Sequence, residues 1–283
     1  MTRINGAAVA ITGAANGIGR ALAEACIARG ADVAIADRDE SGLRAVAADL
    51  AKSGRKISVH PLDVAQAEYV QAFSTAAISA HPGLNIIINN AGVSLFGRFH
   101  ETSHDDMAWL MDINFWGVVH GTRAFLPHLK TRPEAHIVNL SSIFGIIAPP
   151  GQTAYAAAKF AVRGFSESLR HELAQANSPV HLSVVHPGGI KTGIARSSRV
   201  GAFMTDNKRR ADMLDRFEAF TETTPEMAAK TILDGVEANA PRILIGKDAK
   251  RMDLLQRFKP TTYWAAIQKS IDKRVAARKA KGG

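Results

Sequence analysis

The 283-residue chain has a single cysteine, Cys26, so no intrachain disulfide can form and a reducing cytoplasm fits. Its ten histidines are scattered, with no HExxH pattern and no clustered Cys and His, which speaks against a zinc site. No apolar run approaches the ~20 residues that a membrane span requires. Repeats and low-complexity stretches are absent, and the first strand pattern begins almost at the N-terminus, leaving no room for a signal peptide. Acidic residues run short in one place. Residues 247–283 carry eleven Lys or Arg against three Asp or Glu, so nearly all of the net charge of +9 sits there and the remainder is close to neutral. The length suits one large domain with a deep core.

What is present begins with an unbroken apolar run, Ala7 to Ile11, the pattern of a strand covered on both faces. Thr12 and Gly13 follow, then Asn16, Gly17, Ile18 and Gly19, then a helical pattern from Arg20. Strand, glycine turn and helix in that order predict a dinucleotide site. Missing side chains at Gly13, Gly17 and Gly19 let a pyrophosphate approach the backbone, where helix N-terminal amides face it. The spacing is G-x3-G-x-G rather than G-x-G-x-x-G. The next strand pattern, Ala31 to Ala36, ends at Asp37, about 20 residues beyond the glycines, where a carboxylate can bind the adenosine ribose and repel a 2′-phosphate. Arg38 argues the other way, because a guanidinium pairs with a 2′-phosphate. In a partly desolvated pocket the carboxylate should dominate. NAD is therefore the expected cofactor and NADP the alternative.

Tyr155 and Lys159 stand four apart, on one face of a helix if the segment is helical, with Ser142 thirteen residues before Tyr155. A phenol titrates near ~10 and is a poor proton carrier at neutral pH. A neighbouring lysine cation favours the phenolate and draws that value down. Ser142 can hydrogen-bond a substrate oxygen while Tyr155 exchanges its proton. This set moves protons without a metal or a nucleophile, as carbonyl–alcohol interconversion requires. Asn89, Asn90, Ala91 and Gly92 end a further apolar strand, Leu84 to Ile88, where an open sheet has its ligand crevice.

Together these segments resemble the short-chain dehydrogenase/reductase family, from about Gly6 to Gly246. The motifs are Thr12-Gly13 to Gly19, Asp63-Val64, Asn89 to Gly92, Asn114, Ser142, Tyr155 with Lys159, and Pro187-Gly188 followed by Thr192. The resemblance implies a Rossmann-type doubly wound parallel sheet in a single α/β domain, residues 1–246, with a basic helical extension over 247–283. It implies a tetrad of Asn114, Ser142, Tyr155 and Lys159. Tyr155 would be the general acid/base and Ser142 would steady the substrate oxygen. Lys159 would lower the Tyr155 pKa and hold the nicotinamide ribose, and Asn114 would anchor a proton-carrying water. Ser141 competes for the serine role, but the interval to Tyr155 matches Ser142. Asp63, with Val64, would meet the adenine, and the backbone near Ile190, with Thr192, would face the nicotinamide amide. A homodimer or homotetramer is also implied, paired through the helices that hold Asn114 and Tyr155.

Several readings concern the rest of the chain. A long helix should begin near Asp105 and end at Leu126-Pro127-His128, with Trp109 and Trp116 packing at a helix interface. The segment over residues 190–225 should close over substrate. Its Phe203, Met204, Met213, Leu214, Phe217 and Phe220, with Leu95, Phe96, Ile143, Phe144, Ile146 and Ile147, suit a neutral, lipophilic alcohol or ketone. In the extension, Trp264, Ile267, Ile271 and Val275 step by three and four, with Lys269, Lys273, Arg274 and Arg278 off the stripe. Such a helix docks over the cleft or a neighbouring subunit, or it lies on an anionic membrane. Nucleic acid is not expected, since no recognition motif accompanies the charge. The function expected is NAD-linked oxidation of a secondary alcohol or reduction of its ketone. The alternatives are an NADP-dependent carbonyl reductase, or a non-catalytic nucleotide binder docking through its basic tail.

Overall fold

The structure, a computed structural model, describes residues 1–205 and 221–279, and the side chains of all of these but 273–279. Met213, Leu214, Phe217 and Phe220 lie outside the described residues, as does the side chain of Val275. Seven strands form one parallel sheet: β1 (Ala8–Thr12), β2 (Asp32–Asp37), β3 (Ile57–Pro61), β4 (Leu84–Asn89), β6 (Ala135–Leu140), β7 (Val180–Pro187) and β9 (Arg242–Ile245). Their order is β3-β2-β1-β4-β6-β7-β9. Strands β5 (Leu95–Phe96) and β8 (Arg199–Val200) pair separately. The chain winds outward one way from β1 and then returns to start the other half at β4. The order therefore reverses between β1 and β4, and a crevice opens there at the strand carboxyl ends.

Helices cover both faces, which is why the strands are apolar throughout instead of alternating with polar residues. Along β1, Val9 and Ile11 point into one core with Leu22 and Cys26 of α1 (Gly17–Ala28) and Ile232 and Leu233 of α7 (Pro225–Glu237). Ala8 and Ala10 point the other way, into a core with Phe73 of α3 (Ala67–Ala80) and Phe125 and Leu129 of α5 (Gly117–Leu129). The remaining helices of the domain are α2 (Glu40–Leu50), α4 (His104–Met111) and α6 (Thr153–Gln175), the last carrying Tyr155 and Lys159. Beyond β9 come α8 (Lys247–Phe258) and α9 (Tyr263–Lys279).

The expected strands are all present, displaced at their ends by one or two residues. The expected long helix departs from uniform pitch. Between α4 and α5, residues Asp112–Trp116 form a π-helical turn that holds Asn114, which is fully buried. The helix also runs through Pro127 to Leu129. Pro127 falls in the last turn, and His128 Nε2 meets the Leu84 carbonyl of β4 at 2.9 Å, tying the end down.

Candidate active site

Thr12, at the end of β1, joins the two halves of the sheet. Its hydroxyl accepts from the backbone N–H groups of Asn90 and Ala91, both at 3.1 Å. Asn90 in turn donates through Nδ2 to the carbonyls of Thr12 and Gly13, at 2.9 and 3.0 Å. Thr12 and Asn90 thus shape the glycine turn, and Thr12, nearly fully buried, does not line the cleft. A Cβ on Gly19 would stand 1.9 Å from the Gly13 oxygen, and one on Gly13 2.7 Å from Ala91 Cα. Gly17 has φ +53° and faces Thr192, whose Cγ2 would be 3.3 Å from a Cβ there. No side chain caps the N-terminus of α1 at Asn16, and its first turn holds no acidic residue. The free N–H groups there, with the positive end of the helix dipole, form an anion-binding cradle.

Asp37 ends β2 at the same rim. One carboxylate oxygen accepts from Ala15 N–H in the glycine turn and the other from Asp39 N–H, both at 3.0 Å. Arg38 is exposed at the cleft with no partner among the described residues. Asp63 Oδ1 accepts from Ala65 N–H, and Val64 packs near Gly117, whose Cβ would come 2.8 Å from Val64 Cγ2. Opposite, Pro187 ends β7 and Gly188 leads on to Ile190 and Thr192, all four lining the cleft. The cavity, about 1060 Å³, runs from Asp37 to Trp264 without interruption. That exceeds the ~300–1,000 Å³ of ordinary small-molecule pockets, leaving room for a dinucleotide and a substrate together.

Ser142, Tyr155 and Lys159 converge midway along it. Ser142 Oγ accepts from Phe144 N–H at 3.1 Å and stands by the Tyr155 hydroxyl, whose pKa it pulls down. With that lone pair engaged, the serine hydrogen is available to the phenol oxygen. Ser141 is committed elsewhere, donating to the Lys159 carbonyl at 2.8 Å. Asn114 bonds the Val93 backbone at both ends of its amide, with Oδ1 accepting at 2.7 Å and Nδ2 donating at 2.8 Å. A Cβ on Gly92 would lie 3.2 Å from Asn114 Oδ1 and 3.6 Å from Lys159 Nζ, so all three meet at one point.

The electrostatics differ from the sequence expectation. Burial pushes the Tyr155 phenol up, and only the Ser142 hydrogen bond pulls it partly back. The lysine does not draw it down, because Nζ donates to the Leu140 carbonyl at 3.0 Å and lies 5.7 Å from the centre of the tyrosine ring. Burial lowers Lys159 itself to about 8. Behind Ser142, His186 Nδ1 donates to the serine's backbone carbonyl at 2.9 Å, and burial holds this imidazole at about 4. His136, between Thr2 and Ser183, is held at about 3 for the same reason. Both rings fold neutral but take up a proton near pH ~6.5 when unfolded. Their contribution is whole above that pH and is lost as pH falls through it toward their folded values. Urea denaturation should show a loss on the order of 1–2 kcal/mol per imidazole between pH 7 and 5. An unchanged midpoint would contradict it.

The end of the cleft away from Asp37 is walled by apolar side chains from three places. Ile143, Phe144 and Ile147 follow Ser142, Met252 comes from α8, and Trp264, Ile267 and Ile271 come from α9. The Tyr263 hydroxyl accepts from Ala148 N–H at 3.0 Å and fixes α9 in place. Of the other apolar candidates, Phe96 lines the cleft, whereas Leu95 and Ile146 pack behind it and Phe203 is exposed. Met204 does not reach the cleft either. Trp109 does line it, stacked under the Arg199 guanidinium at 3.8 Å, while Trp116 is exposed and stacks on His120.

The short chain dehydrogenase profile matches residues 7–201, which span the glycine turn, Asn114, Ser142, Tyr155 and Lys159. The chain belongs to the short-chain dehydrogenase family. Among its relatives is the oxidoreductase SadH of Mycobacterium tuberculosis (strain H37Rv), 42% identical over 273 residues, which cover 96% of this chain and 98% of that one. Another is the oxidoreductase YxnA of Bacillus subtilis, 34% identical over 257 residues, 89% of this chain and 68% of that one. A crystal structure of a short-chain dehydrogenase/reductase from Burkholderia phymatum in complex with NAD superposes with a TM-score of 0.84 at 30% identity, covering 91% and 95% of the two chains. Sequence reading of this short-chain dehydrogenase missed Asp248. Its carboxylate, in the first turn of α8, accepts from Gly189 N–H at 2.7 Å, and a Cβ on Gly188 would strike it at 2.2 Å. The loop after β7 is thus held from the C-terminal extension. A Gly-rich loop and a distant aspartate give no local sign of pairing.

Proposed function

We propose that this short-chain dehydrogenase is an NAD-linked oxidoreductase acting on a neutral, lipophilic secondary alcohol or its ketone. The observation that carries the proposal is the Ser142–Tyr155 hydroxyl pair lying in one cleft with the uncapped α1 N-terminus and Asp37. The cradle of Gly13, Gly17 and Gly19 fits a pyrophosphate, and Asp37 fits a ribose diol. Asp63 and Val64 are placed for the adenine, Asn90, Ala91 and Gly92 for the middle of the dinucleotide, and Pro187, Gly188, Ile190 and Thr192 for the nicotinamide end. NAD, when bound, supplies the site that exchanges hydride with the substrate carbon.

The chain's own groups handle the proton and the oxygen. Tyr155 takes the hydroxyl proton of an alcohol, or returns it to a carbonyl oxygen. Ser142 steadies that oxygen and donates toward the phenol when it is ionised. Lys159 has one N–H bond to Leu140, leaving its other protons for a ribose hydroxyl, and Asn114 holds Val93 and Gly92 in position beside it. The apolar wall at Ile143, Phe144, Ile147, Trp264 and Ile267 excludes water and favours a lipophilic substrate. A homodimer or homotetramer is supported by exposed Trp116 and Phe160 on neighbouring helices. We place it in the cytoplasm; among the described residues no helix is long and apolar enough to cross a membrane.

The test follows nicotinamide absorbance with secondary alcohols and ketones of graded size, offering NAD and NADP separately. A second reading, an NADP-dependent carbonyl reductase, is favoured by unpartnered Arg38. Asp37→Asn distinguishes the two, since it keeps an oxygen for Ala15 N–H but removes the charge. The ratio of kcat/KM for NAD over NADP should fall at least about tenfold, roughly the worth of one charge-assisted bond. If that ratio stays put, Asp37 does not select the cofactor.

A further inference from the structure

Gln152 stands at the start of α6, one turn before Tyr155, and lines the same cleft. It is 6% exposed, and its Nε2 is buried without a hydrogen-bond partner. No hydrogen bond engages the other end of the amide among the described residues either. The backbone is held firmly, since Gln152 bridges Gly97 and Gly97 N–H donates to the Gly151 carbonyl at 3.2 Å. A buried amide left unpaired costs free energy, so such groups in proteins almost always meet a partner. Although Ser94, Arg98, Ser197 and Arg199 also line the cleft, none of them bonds this Nε2, and Phe96, Pro149 and Pro150 in the same lining offer no side-chain polar atom.

We propose that Gln152 is a substrate-binding residue that pairs with a second oxygen of the substrate, so that the natural substrate is a lipophilic ketone or alcohol bearing a hydroxyl or carbonyl a few carbons from the reacting one. This rests on the dehydrogenase reading of the same site. Ser142 and Tyr155 take the reacting oxygen, and Gln152, one turn upstream, takes the other. An amide both donates and accepts, so a hydroxyl satisfies it fully and a carbonyl satisfies its N–H. Sites built to bond a polar substrate group discriminate strongly against analogues that lack it, because the protein group is then left unpaired.

The experiment uses pairs of ketones of equal carbon count, one with the carbonyl alone and one with an added hydroxyl. These are reduced by the wild-type protein, by Gln152→Leu and by Gln152→Met, with NADH affinity as the check on folding. The wild type should favour the hydroxylated member by about tenfold or more in kcat/KM, and both variants should erase that preference while reducing the plain ketone at least as well. A preference that survives either folded variant overturns the assignment. So does a wild type that reduces both members equally, an outcome that leaves the dehydrogenase reading standing. No turnover of any ketone with NADH bound would overturn both.

Discussion

Tyr155→Phe is expected to lower turnover by about 10²–10⁴-fold, the range that a positioned acid or base contributes, while leaving NAD affinity nearly unchanged. The variant removes one oxygen. The ring still packs edge-on against Phe144, at 6.1 Å between centroids, and still lies beside Lys159. What disappears is the hydroxyl beside Ser142. Because burial holds the phenol up, the pH–rate profile of the wild type for alcohol oxidation should still be rising above neutrality. Steady-state kinetics with a fluorescence titration of the cofactor would decide the matter. Full activity in Tyr155→Phe would remove the tyrosine from the chemistry.

Gly19→Ala is expected to act on the other end of the cleft and through shape alone. Its new methyl group would sit 1.9 Å from the Gly13 oxygen and 2.6 Å from Asn90 Nδ2. The obstacle is backbone, and the carbonyl it meets already accepts from Asn90. Relief therefore means moving the turn, the first turn of α1, or both. Overpacking of this kind costs about 1–3 kcal/mol of stability, and the displaced amides should weaken NAD binding at least about tenfold. Urea denaturation and cofactor titration on the same sample separate the two effects. Wild-type values in both would show that the turn is not the cradle described.

Much of this arrangement could be read from the sequence, because its parts are local. Ala7 to Ile11 followed by three glycines is a strand, a turn and a helix start wherever it occurs, and Asp37 terminates the next strand. The helical interval of Tyr155 and Lys159 is a matter of counting. The stripe at Trp264, Ile267 and Ile271 was likewise visible, and the cleft was one of the places expected for it. What escaped the sequence depends on neighbours far along the chain. Asp248 reaches Gly189 across 59 positions, and Thr12 meets Asn90 and Ala91 across 78 and 79. The direction of the Tyr155 shift escaped for a related reason. Spacing places a lysine near a phenol, but only the packed structure shows Nζ turned to Leu140 and burial raising the phenol. Phe203, expected at the cleft, is exposed, and Trp109, expected only at a helix interface, lines the cleft beneath Arg199.

The π turn at Asp112–Trp116 changes how the long helix from His104 to Leu129 keeps time. Each residue of an α-helix advances the side chains by about 100°. One residue taken up in a wider loop therefore resets the phase of everything after it. Upstream, that phase buries Asp106 and Leu110; downstream, it buries Gly117, Gly121 and Phe125, with the two glycines lying tight against Val64 and Asn89. The helix is in effect two helices a fraction of a turn out of step, with Asn114 seated at the seam. The wider turn absorbs one residue locally, so a single deletion within Asp112–Trp116 would close it to α pitch and leave both flanking faces in place, at the expense of the seat that holds Asn114.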